Sequence, residues 1–243
     1  MAVEPITSNE PCITIITVVY NGVRYLEQTI KSVIQNRTSN LQYIIIDGGS
    51  TDGTVELIQN YSEHIDYWIS EPDKGIYDAM NKGWKAASEN SFIMFLGAGD
   101  KLLSLPSSIS HFETIDVVFG KVLIGEMLFN AKADFRLKMV NTLHHQALLI
   151  HKSLHQTQPF NTSYKVYADF DFNQRLLKEG ARFIFSDTLF AYALPDGVSR
   201  KFYVRESLRV VHSNFGLGWS LLALPYYMYQ GFKTGFSKIS THV

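Results

Sequence analysis

Short, unbroken apolar runs alternate along this chain with longer segments in which apolar side chains return every three or four positions. The runs ITIITVV (13–19), YIIID (43–47), IDYWIS (65–70) and FIMFL (92–96) carry little polar alternation. A strand buried on both faces has that pattern, so these four are predicted to lie in a parallel sheet covered by helices. Residues 24–35 place Tyr25, Leu26, Ile30, Val33 and Ile34 on one helical face. A second helix is predicted to begin near Thr54, where Ser50, Thr51 and Asp52 offer caps. The first hundred residues therefore read as βαβ units, an open α/β fold.

The pattern weakens over residues 102–140. Within it, IDVVFGKVLIGEMLF resembles two strands joined near Gly120 or Gly125, which suggests a smaller, mixed sheet. Beyond it, FDFNQRLLKEG (170–180) predicts a helix that stops at a glycine and leads into a strand, ARFIFS. There is no repeat and no low-complexity tract.

Composition narrows the class. A chain of 243 residues at 46% apolar content can bury one good core. With 22 basic and 23 acidic residues the net charge is -1, so no global positive field recruits nucleic acid or an anionic membrane, and any charge-based binding must be local. Cys12 alone excludes an internal disulfide, and no charged segment followed by an apolar one opens the chain, so a cytoplasmic setting is expected. The tail LGWSLLALPYYMYQGFKTGF (217–236) is apolar and aromatic, but its unbroken apolar core is too short to span a bilayer. Trp219, Leu221, Leu222, Leu224, Tyr226, Tyr227 and Tyr229, with Lys233 and Lys238, suit the inner face of a membrane, packing on the domain, or a second subunit.

In an open parallel sheet, ligands bind outside the carboxyl ends of the strands. Asp47 and Asp100 fall at two such ends, although Asp followed by Gly is also ordinary turn chemistry. The stretch EPDKGIYDAMNKG (71–83) crowds Asp73, Lys74, Asp78, Asn81 and Lys82 around Gly75, either as a solvated turn or as a binding loop. A helix beginning near Gly75 would aim its N-terminal amides at the same crevice, and Lys74 would make that end receptive to phosphate. Neither G-x-G-x-x-G after the first strand nor G-x-x-x-x-G-K-[ST] occurs, which removes most of the weight from dinucleotide oxidoreductases and P-loop phosphotransferases.

Five blocks in order, ITIITVVYNGVRYLEQTIKSVIQN, YIIIDGGSTDGT, EPDKGIYDAMNKGWKAA, FLGAGD and YADFDFNQRLLKEG, resemble a bacterial family 2 glycosyltransferase of the GT-A fold. The resemblance runs over residues 13–199. It implies a glycosyltransferase domain at 13–212, with a nucleotide-binding half (13–100) and an acceptor-binding half (101–212), between an extension (1–12) and an aromatic appendage (213–243). The loop from Thr17 through Val19 and Tyr20 to Asn21 would pack on the nucleotide base, and Asp47 would accept a hydrogen bond from it, as an ionised carboxylate can from the N3–H of uracil. Lys74 and Asn81 would hold phosphate or ribose, and Asp73 and Asp78 would orient them. Gly48, Ser50, Asp52, Gly75, Gly97, Ala98 and Gly99 complete the donor-binding set.

The family's metal motif is a short acidic run, and here only its last acid remains, Asp100, as the ligand of a Mg²⁺ or Mn²⁺ completed by diphosphate and water. The family's base aligns with Asp169 and its arginine with Arg175. Ala168 stands where a Glu is usual, and Asp171 is assigned support. The block NTLHHQALLIHKS would bring His145 and Gln146 near the acceptor or diphosphate. PDGVS (195–199) resembles a closing loop, and equally a plain turn. Burial beside Phe170 and Phe172 is expected to raise the Asp169 pKa, with the net direction depending on how close Arg175 comes.

The resemblance implies an inverting displacement that needs one base and a metal behind the leaving diphosphate. No Q-x-x-R-W motif of processive synthases occurs, so one sugar is expected to pass from a nucleotide diphosphate sugar to a growing envelope glycan or its lipid-linked precursor. The rival readings are a nucleotide-sugar-binding module that has lost catalysis, and a nucleotidyltransferase, which would carry a glycine- and basic-rich loop where YNGVRY stands.

Overall fold

The computed structural model describes residues 11–107, 109, 114–155, 158–195 and 203–237, with side chains to residue 232. Its first strand, β1 (Cys12–Val19), runs parallel between β2 (Leu41–Asp47) and β4 (Ser91–Gly97), and β3 (Tyr67–Ser70) adds to β2. The four predicted runs are these strands, each within two residues of its expected ends. Both faces of β1 are covered. Ile16 and Val18 enter one apolar cluster with α3 (Ile76–Ala86) and α4 (Ala168–Lys178), whereas Ile13, Ile15 and Val19 enter a second with α1 (Val23–Gln35) and α2 (Thr54–Asn60). That two-sided burial is why the runs are continuous.

The mixed part of the sheet is continuous with the parallel part, so the described strands form one sheet of nine. Beyond β4 it continues through β8 (Leu148–His151), β6 (Val117–Ile124), β9 (Phe183–Ala193) and β5 (Lys101–Ser104), while β7 (Met127–Asn130) forms a hairpin with β6. The hairpin turns at Gly125, in the left-handed region at φ 60°. Gly120 lies inside β6 instead, where a Cβ would stand 2.0 Å from the Leu189 carbonyl oxygen. The β6–β9 register shifts beside it, between Phe119 and Lys121.

Helix α4 ends as the sequence predicts, with Gly180 at φ 82°. Trp84 of α3, fully buried, meets Phe172 of α4 edge-on at 5.7 Å and locks the two helices together. Helices α5 (Val204–Phe215) and α6 (Leu217–Ser237) close that side through Val210, Val211, Ala223 and Tyr227. The aromatic tail is thus partly packed on the domain. Among the described residues no helix is long and apolar enough to cross a membrane.

Candidate active site

The carboxyl ends of β1, β2 and β4 bring their loops together. The Val19 carbonyl accepts from the Gly48 N–H at 2.9 Å, and the Gly22 backbone lies against both Val19 and Ala98. Asp47, fully buried, serves the turn. Its Oδ2 accepts from the amides of Gly49 (3.1 Å) and Ser50 (2.9 Å) and from the Ser70 hydroxyl (2.6 Å), and its Oδ1 from the Ser50 hydroxyl (2.5 Å). Asp52 joins two helices, accepting from the first amide of α1 at Val23 (3.1 Å) and from Thr54 at the start of α2 (3.1 Å). Desolvation opposes ionisation of Asp52, but the hydrogen bonds from Thr54 and Val23 hold it below the usual carboxylate range. Thr17 is buried, with its hydroxyl against that of Tyr43 at 3.1 Å. These groups form the floor of the crevice.

What projects from the floor is Tyr20, 66% exposed, on the loop shaped by Asn21 at φ 47°. The Asn21 amide donates to the Ser50 hydroxyl (2.7 Å), and its side-chain oxygen accepts from the Thr51 amide (2.9 Å). Opposite lies Asp73. A Cβ on Gly48 would stand 2.4 Å from the Asp73 Oδ2 and 3.3 Å from the Tyr20 ring, so the missing side chain leaves room for that carboxylate beside the ring. Asp73 Oδ1 accepts from the Gly75 amide (2.8 Å), and Asp78 caps the Lys74 amide (3.0 Å), which shapes the entry to α3. Asn81, one turn further along α3, is engaged within the protein. It is buried, and its amide pairs in both directions with the Phe160 backbone, at 2.8 and 3.0 Å.

On the far side, Asp169 opens the first turn of α4, and its side chain keeps 13% of its surface exposed. Its Oδ2 is 3.2 Å from the Asn141 amide nitrogen and 3.6 Å from His145 Nδ1, and its Oδ1 is 3.3 Å from the Tyr77 hydroxyl. Burial opposes ionisation of Asp169, yet the contacts with His145 and the Phe170 amide hold its carboxyl below the ordinary range. The rise expected from burial alone is therefore reversed, and the group that reverses it is His145. Arg175 plays no part. Its Nε donates to Asp171 Oδ2 (3.0 Å), and its Nη2 donates to the Pro159 carbonyl. Asp171 points away from Asp169, giving its other oxygen to Asn214 of α5 (3.0 Å). Arg175 and Asp171 thus hold α4 in place.

Tyr77, Asn141 and His144 were not singled out from sequence. Tyr77 and Asn141 sit inside quoted blocks, but only the fold brings them to Asp169. His144 stacks on His145 with ring centres 5.5 Å apart, and burial, with its neighbour's charge, pushes its imidazole down to about 4. It is neutral at physiological pH.

Asp100 links the two sides. Its Oδ2 accepts from the Gly97 amide (2.8 Å) and the Gln146 side chain (2.9 Å), and its Oδ1 from the Leu194 amide (2.8 Å). It is buried, and among the described residues no three acidic, His or Cys side chains gather to hold a metal ion. One carboxylate whose two oxygens are already spoken for does not by itself make a divalent-cation centre. Gly97, Ala98 and Gly99 carry the turn around it, with Thr29 donating to the Asp100 carbonyl (2.7 Å). Residues 196–199 of the closing-loop block, and Lys238, lie outside the described residues.

Over residues 14–165 the sequence matches the profile of Glycosyl transferase family 2. The chain belongs to that family. It is a family 2 glycosyltransferase with the GT-A architecture, which sets aside the nucleotidyltransferase reading. A relative from Mycobacterium bovis (strain BCG / Pasteur 1173P2), the PGL/p-HBAD biosynthesis glycosyltransferase, is 29% identical over 184 residues, spanning 70% of this chain and 72% of its own. The crystal structure of S. aureus TarS 1-349 in complex with UDP-GlcNAc superposes with a TM-score of 0.63 at 14% identity, covering 91% of this chain and 73% of that one. The mannosyltransferase PcManGT from Pyrobaculum calidifontis, in complex with GDP-Man and Mn²⁺, gives 0.64 at 14% identity, covering 96% and 76%. The two solved structures support the fold of the glycosyltransferase described here.

Proposed function

We propose that this glycosyltransferase moves one sugar from a nucleotide diphosphate sugar, with uridine diphosphate as its carrier, to a hydroxyl of a surface glycan or a lipid-linked glycan, inverting the anomeric centre. The observation that carries the reading is the difference among the acids at the crevice. Asp47, Asp100 and Asp171 each give both oxygens to partners at 3.1 Å or less, whereas the partners of Asp169 stand at 3.2 to 3.6 Å. Among these four, Asp169 is the acid with capacity left for an incoming proton, and its lowered pKa keeps it ionised to receive one.

In the displacement, Asp169 takes the proton of the acceptor hydroxyl as that oxygen bonds to the anomeric carbon. The bond from that carbon to the phosphate oxygen breaks, and the nucleoside diphosphate leaves with the electron pair. Asn141 and Tyr77 fix the carboxylate, and His145 lowers its pKa. Tyr20 offers a ring for the base, Asp73 an acceptor for base or ribose, and Lys74 with the start of α3 a positive end for the diphosphate. Asn21, Gly75 and Asp78 shape these loops, and Asp47 shares in base recognition only through the turn it holds.

Uridine is favoured by the S. aureus TarS complexes with UDP and UDP-GlcNAc, and a guanosine carrier has its precedent in the Pyrobaculum complex. The acceptor class follows the printed role of the mycobacterial relative in PGL/p-HBAD biosynthesis. A divalent cation has its precedent in the Mn²⁺-bound mannosyltransferase. In this chain its carboxylate would be Asp100, whose oxygens hold the protein frame, so no step is assigned to it.

Calorimetric titration with uridine, guanosine and thymidine diphosphates, followed by turnover of the matching sugar donors, tests the reading. Uridine diphosphate should bind wild type and Asp169→Asn alike, with turnover lost only in the variant. Undiminished turnover in Asp169→Asn would remove the base from Asp169, and preference for another diphosphate would remove the uridine assignment.

A further inference from the structure

Helix α6 commits a narrow stripe to the domain. Ala223 and Tyr227 are buried, Trp219 packs against the same core, and the Tyr227 hydroxyl donates to the Met139 carbonyl at 2.6 Å. Several other described side chains of the helix are apolar and exposed. Leu221 and Leu222 are 59% and 66% exposed, and Leu217, Leu224, Tyr226, Met228 and Tyr229 extend the surface on either side. Spacings of three and four residues (217, 221, 224, 228 and 222, 226, 229) lay these side chains in two adjacent stripes. Soluble monomers rarely expose contiguous apolar surface of this extent.

Charge indicates what covers it. The chain as a whole is balanced, with 22 basic and 23 acidic residues, yet no Asp or Glu follows Glu206. Glu206 itself is turned inward, accepting from the Val166 and Tyr167 amides at 2.8 and 2.9 Å. Arg209, Lys233 and Lys238 come after it. Lys138 stands 5.0 Å over the Trp219 ring and 5.6 Å over Phe215, which places a basic group beside the N-terminal part of α6, and on neighbouring α5 Arg209 stands 5.0 Å over Tyr164. An apolar face of leucines and tyrosines with a basic neighbour and no acid within its own helix is complementary to anionic headgroups above acyl chains. A second copy of the chain would bring the same positive charge onto itself.

We propose that α6 lies in the plane of an anionic lipid surface with Leu221 and Leu222 buried in it. The contact reaches the catalytic frame directly. Tyr227 bonds Met139, and two residues on, Asn141 donates to Asp169; from α5, Glu206 holds the backbone that leads into α4. The element that meets lipid is thus bonded to the frame of the base, which suits a transferase whose acceptor is presented at that surface.

The test is co-sedimentation of the full chain with vesicles of phosphatidylcholine alone and with added phosphatidylglycerol. Wild type should pellet with the anionic vesicles and be released by raised salt. Leu221→Ser combined with Leu222→Ser should weaken the association by roughly a hundredfold. Both side chains are exposed, so the thermal midpoint should hold, and a single Leu222→Ser variant repeats the measurement on a smaller change. Wild type left in the supernatant, equal pelleting with neutral vesicles, or a double variant that pellets like wild type would each overturn the proposal. So would a wild-type dimer that the double substitution dissolves while lipid affinity is absent, which would make the face a subunit interface. No nucleotide enters the assay, so its outcome is independent of the donor assignment.

Discussion

The hydroxyl of Tyr77 stands 3.3 Å from Oδ1 of Asp169, two residues that lie 92 positions apart in the chain. Its single O–H is shared between that carboxylate and the nearer Val166 carbonyl, and its ring stacks on Phe160 at 5.7 Å. Burial, and then the charge of Asp169, raise the phenol well above its ordinary pKa, so it stays protonated and meets that carboxylate as a donor, through the proton it shares with Val166. Tyr77 begins α3 directly behind the loop of Asp73, Lys74 and Gly75. It is a strut between the proposed donor loop and the proposed base.

Tyr77→Phe keeps the ring and its packing and removes the strut. Turnover should fall about tenfold, the worth of one hydrogen bond to a charged group, with the donor KM nearly unchanged. Steady-state kinetics on the sugar donor that binds most tightly separate the two constants. A raised KM at constant kcat would move Tyr77 from positioning the base to holding the donor.

His145 sets the acid limb of the pH profile. Asp169 has a depressed pKa in the folded protein, so it is ionised above that value and turnover falls as pH drops through it. The same interaction contributes stability that is present above the unfolded carboxylate pKa and lost as pH falls through the folded one. His145→Ala removes the largest lowering contact and leaves the burial that opposes ionisation, so the acid limb should move to higher pH. A pH–rate profile with an unmoved limb would show that other groups hold the carboxylate down.

The parallel half of the sheet was legible because strands covered on both faces have no choice but to be apolar throughout. The second half was legible only at the β6–β7 hairpin, α4 and the start of β9. Ser186, Asp187 and Thr188 interrupt β9, which runs from Phe183 to Ala193 through an irregular register, and β8 and β5 are only four residues each. No element was predicted for the tail, and Pro225 sits within α6 on an exposed position, where water can satisfy the carbonyl that loses its partner. In the site, motif spacing pointed to Asp169, while its neighbours Tyr77 and Asn141 come from other elements and left no local trace. Asp47 shows the reverse. A strand-end acid suggested a ligand, and the structure adds that Ser50 and Ser70 engage its oxygens in the turn, the commonplace chemistry of Asp–Gly.

Gly48 tests whether Asp73 belongs to the donor site. Gly48→Ala puts a methyl group 2.4 Å from Asp73 Oδ2, so the carboxylate must withdraw from the Tyr20 side of the crevice. Uridine diphosphate affinity should fall about tenfold by calorimetry, about 1.4 kcal/mol, while the thermal midpoint changes little because Asp73 can move outward. Unchanged affinity would place the nucleotide elsewhere on the floor.

Asp100 is where two readings of one residue part. As a frame residue it holds the Gly97 and Leu194 amides and the Gln146 side chain, three donors converging on one buried carboxylate. Asn at this position presents an NH₂ group to at least one of those donors and carries no charge. Asp100→Asn should therefore cost about 2–3 kcal/mol without any metal present, lowering the thermal midpoint by roughly 5–10 °C. Mn²⁺ alone should not raise the wild-type midpoint, since a carboxylate engaged on both oxygens has little left for a cation until diphosphate oxygens arrive. A residue kept chiefly to bind metal would give the opposite pair of results. Wild type would be stabilised by Mn²⁺ alone, and the Asn variant would melt with metal-free wild type. Scanning calorimetry of both proteins, with and without Mn²⁺, distinguishes the frame from the ligand in one experiment.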